Sequence, residues 1–467
     1  MTDRIPFTEI ATAPASPQPR RPDNGIHTRS FTGLYRNLRI GFAGALLLLF
    51  FGTAWLNWDG RQAVLWDLGN SKFHIFAATF WPQDFILLSA LLIICAFGLF
   101  AITVYAGRVW CGYSCPQSIW TWLFMWCEKV TEGDRNQRIK LAAAPWSLNK
   151  LARRTLKHSL WLAIGVLTGL TFVGYFTPIR PLAAELLTLQ LGGVALFWVL
   201  FFTAATYINA GLLREAVCLH MCPYARFQSV MFDKDTLAVA YDPRRGEARG
   251  PRKKGSDLRI QGLGDCIDCT LCVQVCPTGI DIRDGLQMAC IGCAACIDAC
   301  DGVMDKMGYA RGLIGYKSER SLQGGTTHWL RPRLLGYAIA LGVMIAALVV
   351  ALQLRPMVSL DVIKDRGLFR ENAQGQIENI YLLKVINKTE RIRHYELRLL
   401  DADGFSLQGK TSFMIPAGEM SELPVSVAML AERPASSSQV LSFEISERND
   451  PTIRSVAHSR FVAPMKR

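Results

Sequence analysis

The 467-residue sequence has no cysteine after Cys300, although it contains fourteen in all. Twelve of these fall in short motifs, and only Cys95 and Cys127 stand alone. This distribution argues against a disulfide framework, which is typical of oxidising compartments, and indicates a reducing compartment for the cysteine-bearing part. No cysteine pair continues into a C-x-x-C-H motif, so covalent attachment of c-type haem is excluded.

Five apolar stretches of the sequence contain no Asp, Glu, Lys or Arg. They cover residues 40–58, 85–105, 159–177, 192–213 and 334–354. Each stretch is close to the roughly 20 residues that cross the hydrocarbon core of a bilayer. Uncharged runs of this length predict five transmembrane helices rather than the buried helices of a soluble enzyme.

The net charge of +13 does not indicate a nucleic-acid-binding protein. Such proteins carry a basic face on a soluble fold, whereas here Lys and Arg concentrate beside the apolar stretches, in residues 20–39, 135–157 and 244–254. The positive-inside rule therefore predicts that the N-terminus and residues 234–333 lie in the cytoplasm, and that the C-terminal domain lies in the periplasm.

The composition changes along the chain and predicts several segments. Residues 1–38 are rich in Pro, Ser, Thr and Arg without a small-residue cleavage site, which predicts a disordered tail rather than a signal peptide. A membrane domain of four helices is predicted for 39–233 and a cytoplasmic domain for 234–333, beginning with a flexible basic arm over 242–264. The fifth helix is predicted at 334–354.

In the C-terminal residues 355–467 the apolar residues recur with a different spacing. Apolar and polar residues alternate over 359–364, 377–387, 394–400, 421–430, 440–447 and 453–461, with turn residues between the runs. This rhythm predicts an all-β immunoglobulin-like sandwich. The predicted fold class is thus a membrane α-helical protein with an inserted two-[4Fe-4S] ferredoxin-like domain, described next, and a β-sandwich at its end.

Eight cysteines form two runs with the spacing C-x2-C-x2-C-x3-C. The first run is Cys266, Cys269, Cys272 and Cys276, and the second is Cys290, Cys293, Cys296 and Cys300. In bacterial two-cluster ferredoxins this spacing holds two [4Fe-4S] clusters, and the fourth cysteine of each run binds the other cluster. We therefore predict one cluster on Cys266, Cys269, Cys272 and Cys300. The other is predicted on Cys290, Cys293, Cys296 and Cys276.

Structural zinc is the alternative for paired C-x2-C units, but zinc needs four ligands and does not explain two triplets that are each followed by a fourth cysteine. Four aspartates flank the cysteine ligands, namely Asp265, Asp268, Asp298 and Asp301. Because negative charge disfavours the addition of an electron, we expect low-potential clusters.

A second cysteine motif, C-x3-C-P, occurs twice, after the second and the fourth apolar stretch. Its cysteines are Cys111 and Cys115 in the first copy and Cys218 and Cys222 in the second. A four-residue offset on a helical turn would put both sulfurs on one face. Four thiols at one membrane surface predict a redox or metal site, and soft ligands select Cu(I).

His220 and Met221 lie inside the second copy and are further candidate copper ligands. Two other interpretations of the C-x3-C-P cysteines stay open. They could hold a further iron–sulfur cluster, or they could pack between helices as small hydrophobic side chains. Cys95 and Cys127 are expected to serve packing alone.

These features together resemble the family of cytochrome c oxidase accessory proteins called CcoG, FixG or RdxA. The resemblance includes the phrases RQAVL at 61–65, KFHIF at 72–76 and FWPQD at 80–84. The cysteine motifs alone are shared with the wider polyferredoxin group related to NapH and NosR. The resemblance to this family in particular therefore depends on the five-helix layout and the β domain.

The resemblance implies a bacterial inner-membrane cupric reductase needed to assemble cbb-type cytochrome c oxidase. A cytoplasmic donor would reduce the clusters, and Cu(II), as substrate, would be reduced near the C-x3-C-P cysteines. Cu(I) would then pass to a copper-exporting P-type ATPase and to the oxidase assembly machinery. Two alternatives remain: a quinol dehydrogenase-type electron-transfer module, and a non-enzymatic assembly scaffold or redox sensor.

Overall fold

The computed structural model describes residues 26–255, 262–372, 374–389, 391–400, 403–430 and 438–464. The chain divides into two compact units, each made from two stretches of sequence. The first unit combines the chain up to Trp55 with Ile93–Gly342, and the second combines Leu56–Leu92 with the chain from Val343 onward. The segments predicted from the sequence are finer than this division and stay predictions.

Helices dominate the first unit. In chain order the α-helices of the described residues are α1 Leu34–Thr53, α2 Phe85–Ala106, α3 Val109–Tyr113, α4 Pro116–Glu132, α5 Arg135–Ala143, α6 Leu148–Val173, α7 Ile179–Leu187, α8 Gly193–Thr206, α9 Pro223–Met231, α10 Pro243–Gly246, α11 Leu271–Gln274, α12 Ala295–Met307, α13 Glu319–Leu322 and α14 Pro332–Gln353. Two π-helical segments, Tyr207–Leu213 and Val217–Met221, lie between α8 and α9.

Five helical segments of the described chain are long and apolar enough to cross a membrane, as many as the sequence predicts. They are Leu34–Thr53, Pro82–Ala106, Leu148–Val173, Gly193–Leu213 and Pro332–Gln353. The largest difference is at α6, which begins at Leu148 rather than at 159. Its polar first turns continue the helix, and the Ser147 hydroxyl caps it by accepting from the Lys150 N–H across 3.2 Å. Hydropathy marks only the apolar part of a helix.

The described part of the predicted disordered tail, residues 26–38, has defined partners, while residues 1–25 lie outside the described chain. The main-chain N–H groups of Tyr35 and Arg36 donate to the Asp298 carboxylate across 3.2 and 2.7 Å. The first N–H groups of a helix have no acceptor within that helix. The Asp298 carboxylate supplies this acceptor and so orders the start of α1. Asp298 belongs to the domain that contains Cys266 to Cys300, called here the cysteine-rich domain.

The predicted flexible arm over 242–264 lies partly outside the described chain, at 256–261. Its described residues pack against the cysteine-rich domain. The Arg245 guanidinium donates to the Asp265 carboxylate across 2.5 Å, and Arg252 donates to a main-chain carbonyl, also across 2.5 Å. The basic charge of this segment therefore serves hydrogen bonding within the domain, because a guanidinium offers several donors in a fixed planar fork.

The strands are antiparallel throughout. In chain order they are β1 Asn57–Trp58, β2 Arg61–Gln62, β3 Val64–Asp67, β4 Lys72–Ile75, β5 Ala78–Phe80, β6 Ala238–Tyr241, β7 Ile314–Lys317, β8 Val358–Lys364, β9 Arg370–Glu371, β10 Ile377–Asn387, β11 Arg393–Leu399, β12 Phe405–Gly409, β13 Ser412–Ile415, β14 Met420–Met429, β15 Ser438–Glu447 and β16 Arg454–Val462. Strands β6 and β7 pair within the cysteine-rich domain.

The C-terminal strands form the predicted sandwich. One sheet has the order β12-β14-β10-β8, with β9 beside β10, and the other has the order β13-β11-β15-β16. The side chains of Tyr381, Tyr395 and Phe443 are completely buried in this domain. Each of the six predicted strands is present. Strands β9, β12 and β13 are additional, and they are too short for alternation to reveal them.

The second unit also contains the short strands of residues 57–80, and the Asp84 carboxylate that follows them forms ion pairs with the β domain. The Asp84 carboxylate forms ion pairs with Arg355 across 2.6 Å and with Lys388 across 2.9 Å. All three side chains are largely buried. A paired carboxylate and two cations can be buried together, because each charge offsets another in a region of low dielectric.

Candidate metal centre

Two cavities in the first unit are walled by cysteine side chains. One is lined by Cys266, Cys269, Cys272 and Cys300. The other is lined by Cys276, Cys290, Cys293 and Cys296, together with Cys272. The fourth cysteine of each run therefore lies with the first three of the other run. This is the crossed arrangement that two-cluster ferredoxins use.

The backbone of both cysteine runs folds in the same way. Asp268 and Gly292, each directly before the second cysteine of its run, have φ of 53° and 67°. Thr270 and Ala294, each directly after it, have φ of 54° and 58°. Left-handed residues between right-handed ones form concavities in which successive N–H groups can bind an anion. An iron–sulfur cluster with four thiolate ligands is such an anion.

The electrostatics of the cavities also fit a metal cluster. Burial, reinforced by neighbouring thiols, raises the pKa of Cys272, Cys290 and Cys300 to about 12. Burial raises the pKa of Cys276 and Cys296 as well. Thiols must lose their protons to bind a metal, so the irons would supply the positive charge that buried thiolates need.

The cysteines are spread around the cavities instead of meeting at a point. Across the described ranges, no three Cys, His, Asp or Glu side chains approach closely enough to hold a single metal ion. A structural zinc ion needs four ligand atoms within about 2.3 Å of its centre. The arrangement fits two multi-iron clusters better than zinc, and the eight cysteines would hold them.

The four aspartates beside the cysteines each have a partner. Asp265 pairs with Arg245 and Asp268 pairs with Arg283. The Asp298 carboxylate accepts the N–H groups at the start of α1, and Asp301 accepts the Gly312 N–H across 2.9 Å. These interactions reduce the negative potential at the clusters, so the aspartates lower the reduction potential less than the sequence alone suggests.

The C-x3-C-P cysteines sit where one helix ends and the next begins. Cys111 lies in α3, and Cys115 is the N-cap of α4 in an extended conformation. Cys218 lies in a π-helical segment, and Cys222 is the N-cap of α9. The prediction that both sulfurs of a motif lie on one face of a single helical turn is therefore wrong. Pro116 and Pro223 start new helices, because proline fits the first helical position but breaks a helix interior.

The two copies of this motif nevertheless come together. Cys111 is within electrostatic range of Cys115 and Cys218, and Cys115 is within range of Cys222. Burial is the main cause that raises the pKa of Cys111 to about 12 and that of Cys218 to about 11. The four half-buried thiols thus lie near one another and are called here the thiol site, although no three of these described side chains meet closely enough to share one metal ion.

A buried amide completes the thiol site. The Cys111 thiol lies 3.6 Å from the Gln228 side-chain oxygen, and Gln228 is completely buried. The Gln228 Nε2 has no hydrogen-bond partner within the described part of the chain. The Gln228 oxygen, an acceptor, is thus the atom that faces the Cys111 thiol, and a buried amide needs such partners. His220 and Met221 are exposed and do not share this buried environment.

The thiol site contacts the loop of the second cysteine run. A Cβ atom on Gly112 would lie 2.7 Å from the Gly292 carbonyl oxygen and 2.9 Å from the Cys293 Cα. The Tyr316 hydroxyl lies 2.7 Å from that same Gly292 oxygen and 3.3 Å from the Tyr113 hydroxyl. The backbone between Cys111 and Cys115 is therefore packed directly against the backbone between Cys290 and Cys293.

Comparison with known proteins supports this description. A family profile described as a 4Fe-4S dicluster domain matches residues 213–319, and one described as the Ig-like fold at the C-terminal of FixG matches residues 348–464. RdxB of Cereibacter sphaeroides is 42% identical over 413 residues, covering 84% of this chain and 86% of the relative. The chain belongs to the FixG/RdxA family.

Two further relatives agree with this assignment. RdxA of Cereibacter sphaeroides is 40% identical over 85% of this chain and 87% of the relative. The nitrogen fixation protein FixG of Rhizobium meliloti is 36% identical over 80% of this chain and 79% of the relative. The protein is thus an iron–sulfur redox protein of the FixG/RdxA family, and its five long apolar helices accord with a membrane protein.

Sequence reasoning missed three polar residues of this FixG/RdxA-family site, namely Arg108, Gln228 and Tyr316. Arg108 precedes the first C-x3-C-P motif by three residues and lies outside the basic segments 20–39, 135–157 and 244–254 that indicate membrane orientation. Gln228 lies six residues after Cys222 in α9, where a buried polar face could have been suspected. Nothing in the sequence near Tyr316 indicates a contact with the Cys290 loop.

Proposed function

We propose that this protein is a membrane-bound cupric reductase. In this proposal the thiol site binds copper, and each Cu(II) accepts one electron there to become Cu(I). The contact of Gly112 with the Gly292 and Cys293 backbone carries the proposal. This contact leaves no space for another residue between the C-x3-C-P motif, which is proposed to bind copper, and the loop that carries Cys290 and Cys293.

The chemistry of the donor atoms suits this reaction. When bound, the two [4Fe-4S] clusters supply one-electron carriers. The thiols of Cys111, Cys115, Cys218 and Cys222 are soft ligands, which favour Cu(I) over Cu(II) and so favour reduction at the site. The nearby Arg108 guanidinium can balance the negative charge of thiolates bound to copper.

The proposed setting is the bacterial inner membrane. The basic segments lie beside the ends of the apolar helices that carry the thiol site, which supports a cytoplasmic location for that site and for the clusters. The β domain would then lie in the periplasm. In the proposal, Cu(I) passes to a copper-exporting P-type ATPase and supports the assembly of cbb-type oxidase.

A topology assay tests the proposed setting. A reporter that is active only in the periplasm should work when fused after Arg467 and should fail when inserted at residues 256–261. A reporter that is active only in the cytoplasm should give the opposite pattern. The same response at both positions would contradict an odd number of membrane crossings.

The copper reaction can be tested by anaerobic rapid mixing. The protein is reduced with dithionite, freed of excess reductant and mixed with Cu(II), while the visible absorption of the clusters reports their reoxidation. The double variant Cys218→Ser, Cys222→Ser should keep its iron but reoxidise at least about tenfold more slowly, because hydroxyls are poor ligands for Cu(I). Cys95→Ser, at an exposed lone cysteine, is the matched control.

Two results would overturn the proposal. Reoxidation of the double variant as fast as the parent would show that Cu(II) meets the clusters directly and that these cysteines serve packing. Normal oxidase assembly in cells whose protein lacks the cluster cysteines would favour a scaffold or sensor without an electron-transfer role.

A further inference from the structure

One cavity of the first unit lies outside the metal centre. It has a volume of about 300 Å³ and is enclosed by the N-terminal segment, α4, α5, α6 and the π-helical segment Tyr207–Leu213. Its lining includes His27, Glu128, Glu132, Arg138, His158 and Trp161. Ligand pockets begin at about this volume, and π-helical turns occur frequently at functional sites.

Four cations and three glutamates line this cavity, called here the His27 cavity, and most of these charged side chains form ion pairs with one another. Arg138 pairs with Glu128 across 2.6 Å, and Lys157 pairs with Glu132 across 2.8 Å. Arg214 also pairs with Glu128. The remaining lining cation, Arg154, stacks over the ring of Trp146, outside the lining. A phosphate would compete with these pairs, so the cavity favours a neutral occupant.

Two imidazoles give the cavity neutral donors and acceptors. Both ring nitrogens of His27 are buried without a hydrogen-bond partner among the residues that the structure describes. Burial, with Arg138 nearby, lowers the pKa of His27, so the ring is neutral at pH 7. His158 Nδ1 lies 2.7 Å from the Tyr207 hydroxyl. The indole of Trp161 supplies an aromatic wall between these polar groups.

The position of the cavity connects the apolar helices with the cysteine-rich domain. Its wall is formed in part by α6 and by the end of the Gly193–Leu213 span, and Leu212 of that wall is 60% exposed. On the other side, Ile26 lies 3.1 Å from the position that a Cβ on Gly279 would take. Gly279 follows the cluster ligand Cys276 by three residues.

We propose that the His27 cavity binds the ring of a hydroquinone dissolved in the bilayer, which serves as the electron donor. This inference rests on the proposed function, which needs a donor. Oxidation of one hydroquinone breaks two O–H bonds and yields a quinone, two electrons and two protons. The two electrons would be accepted, one each, by the two [4Fe-4S] clusters that the two cysteine sets would hold. His27 and His158 accept the protons and release them to water.

Binding of a quinone can be measured independently of electron transfer. The full-length, iron-loaded protein in nanodiscs is titrated with decylubiquinone by calorimetry, and an azido derivative is used to label the site covalently. We expect saturable binding, with label in peptides from residues 26–31 and 120–161. His27→Ala should weaken binding about tenfold, the cost of one buried hydrogen bond. His394→Ala, at an exposed histidine of the β domain, should leave it unchanged.

A second variant guards against a simple folding defect. His27→Phe fills the cavity with an apolar ring, so it should abolish binding while the iron content and thermal unfolding stay as in the parent. Label that maps elsewhere, or binding that neither variant changes, would overturn the inference. Displacement of the label by phosphatidylglycerol but not by quinone would assign the cavity to a lipid headgroup instead.

The copper assay separates this inference from the proposed function. His27→Ala protein reduced by dithionite should be reoxidised by Cu(II) as fast as the parent, yet it should be reduced more slowly by decylubiquinol. Loss of the copper reaction in the parent, with quinone binding intact, would refute the proposed function alone. Parent protein that reacts with Cu(II) but does not bind quinone would refute the cavity assignment alone.

Discussion

The Arg108 guanidinium donates a hydrogen bond to the Cys290 main-chain carbonyl across 3.1 Å. It also donates to the carbonyls of Met288 and Ala225, and its side chain is buried. Its hydrogen-bond partners in the described structure are thus carbonyls at the start of the second cysteine run, just before that run, and in α9. A buried cation is costly without a negative partner. The thiolates of a loaded metal centre would supply that charge.

Replacement of Arg108 should change the potential of one cluster. In Arg108→Met the midpoint potential of the cluster predicted on Cys276, Cys290, Cys293 and Cys296 should fall, because a nearby positive charge no longer favours the added electron. Potentiometric titration followed by electron paramagnetic resonance measures both clusters separately. Arg108→Lys keeps the charge and should stay closer to the parent. Equal potentials in the parent and Arg108→Met would contradict this role.

The contact at Gly112 should not tolerate a larger residue. In Gly112→Ala the new Cβ would lie 2.7 Å from the Gly292 oxygen, so backbone must move on one side. We expect a loss of about 1–3 kcal/mol in the free energy of unfolding, which is typical of overpacking. Slower oxidation by Cu(II) should accompany it. Gly302→Ala is the matched control, since nothing lies within 4 Å of a Cβ there. Equal effects in both variants would contradict the contact.

Removal of a crossed ligand should damage one cluster selectively. In Cys276→Ser the cluster bound by Cys290, Cys293 and Cys296 should be lost or converted, because serine replaces a soft thiolate. Iron should fall from about eight toward about four atoms per chain. Cys300→Ser should instead affect the cluster of Cys266, Cys269 and Cys272. If Cys276→Ser destroyed the cluster of its own run, the ligands would not cross.

The ion pairs of Asp84 should stabilise the second unit strongly. Asp84→Asn leaves the buried cations of Arg355 and Lys388 without a counter-charge, which costs about 3–5 kcal/mol. Thermal unfolding followed by circular dichroism measures the loss. Glu422→Gln is the matched control, because its pair with Lys384 is exposed and worth about 0–1 kcal/mol. Comparable losses in both variants would show that burial does not set the strength of these pairs.

Repetition in the sequence was enough to predict which cysteines lie together around each cavity. The spacing of the eight cysteines restricts how a chain can surround two clusters, so the cavities contain the cysteines that the spacing predicts. Apolar length similarly predicted five long helices, and alternation predicted the strands of the sandwich. These features are local, since each depends on residues that are near one another in the chain.

The partners of single polar residues could not be predicted in this way. Arg108 and Cys290 are separated by 182 positions, and Tyr35 and Asp298 by 263. The periodicity of apolar residues does not indicate which buried donor bonds to which carbonyl when the two residues are so far apart in the sequence. For the same reason the sequence suggested a disordered tail and a flexible arm, whereas the described parts of both segments make helix-capping and guanidinium hydrogen bonds.

The sequence by itself determined the cysteine sets, the apolar helices and the alternating strands, because spacing and periodicity act over a few residues. Only the tertiary structure decided that the thiol site abuts the Cys290 loop, that the flanking aspartates have partners, and that the His27 cavity forms among five segments. These outcomes depend on packing and on the need to satisfy buried polar groups, which are properties of the whole folded chain.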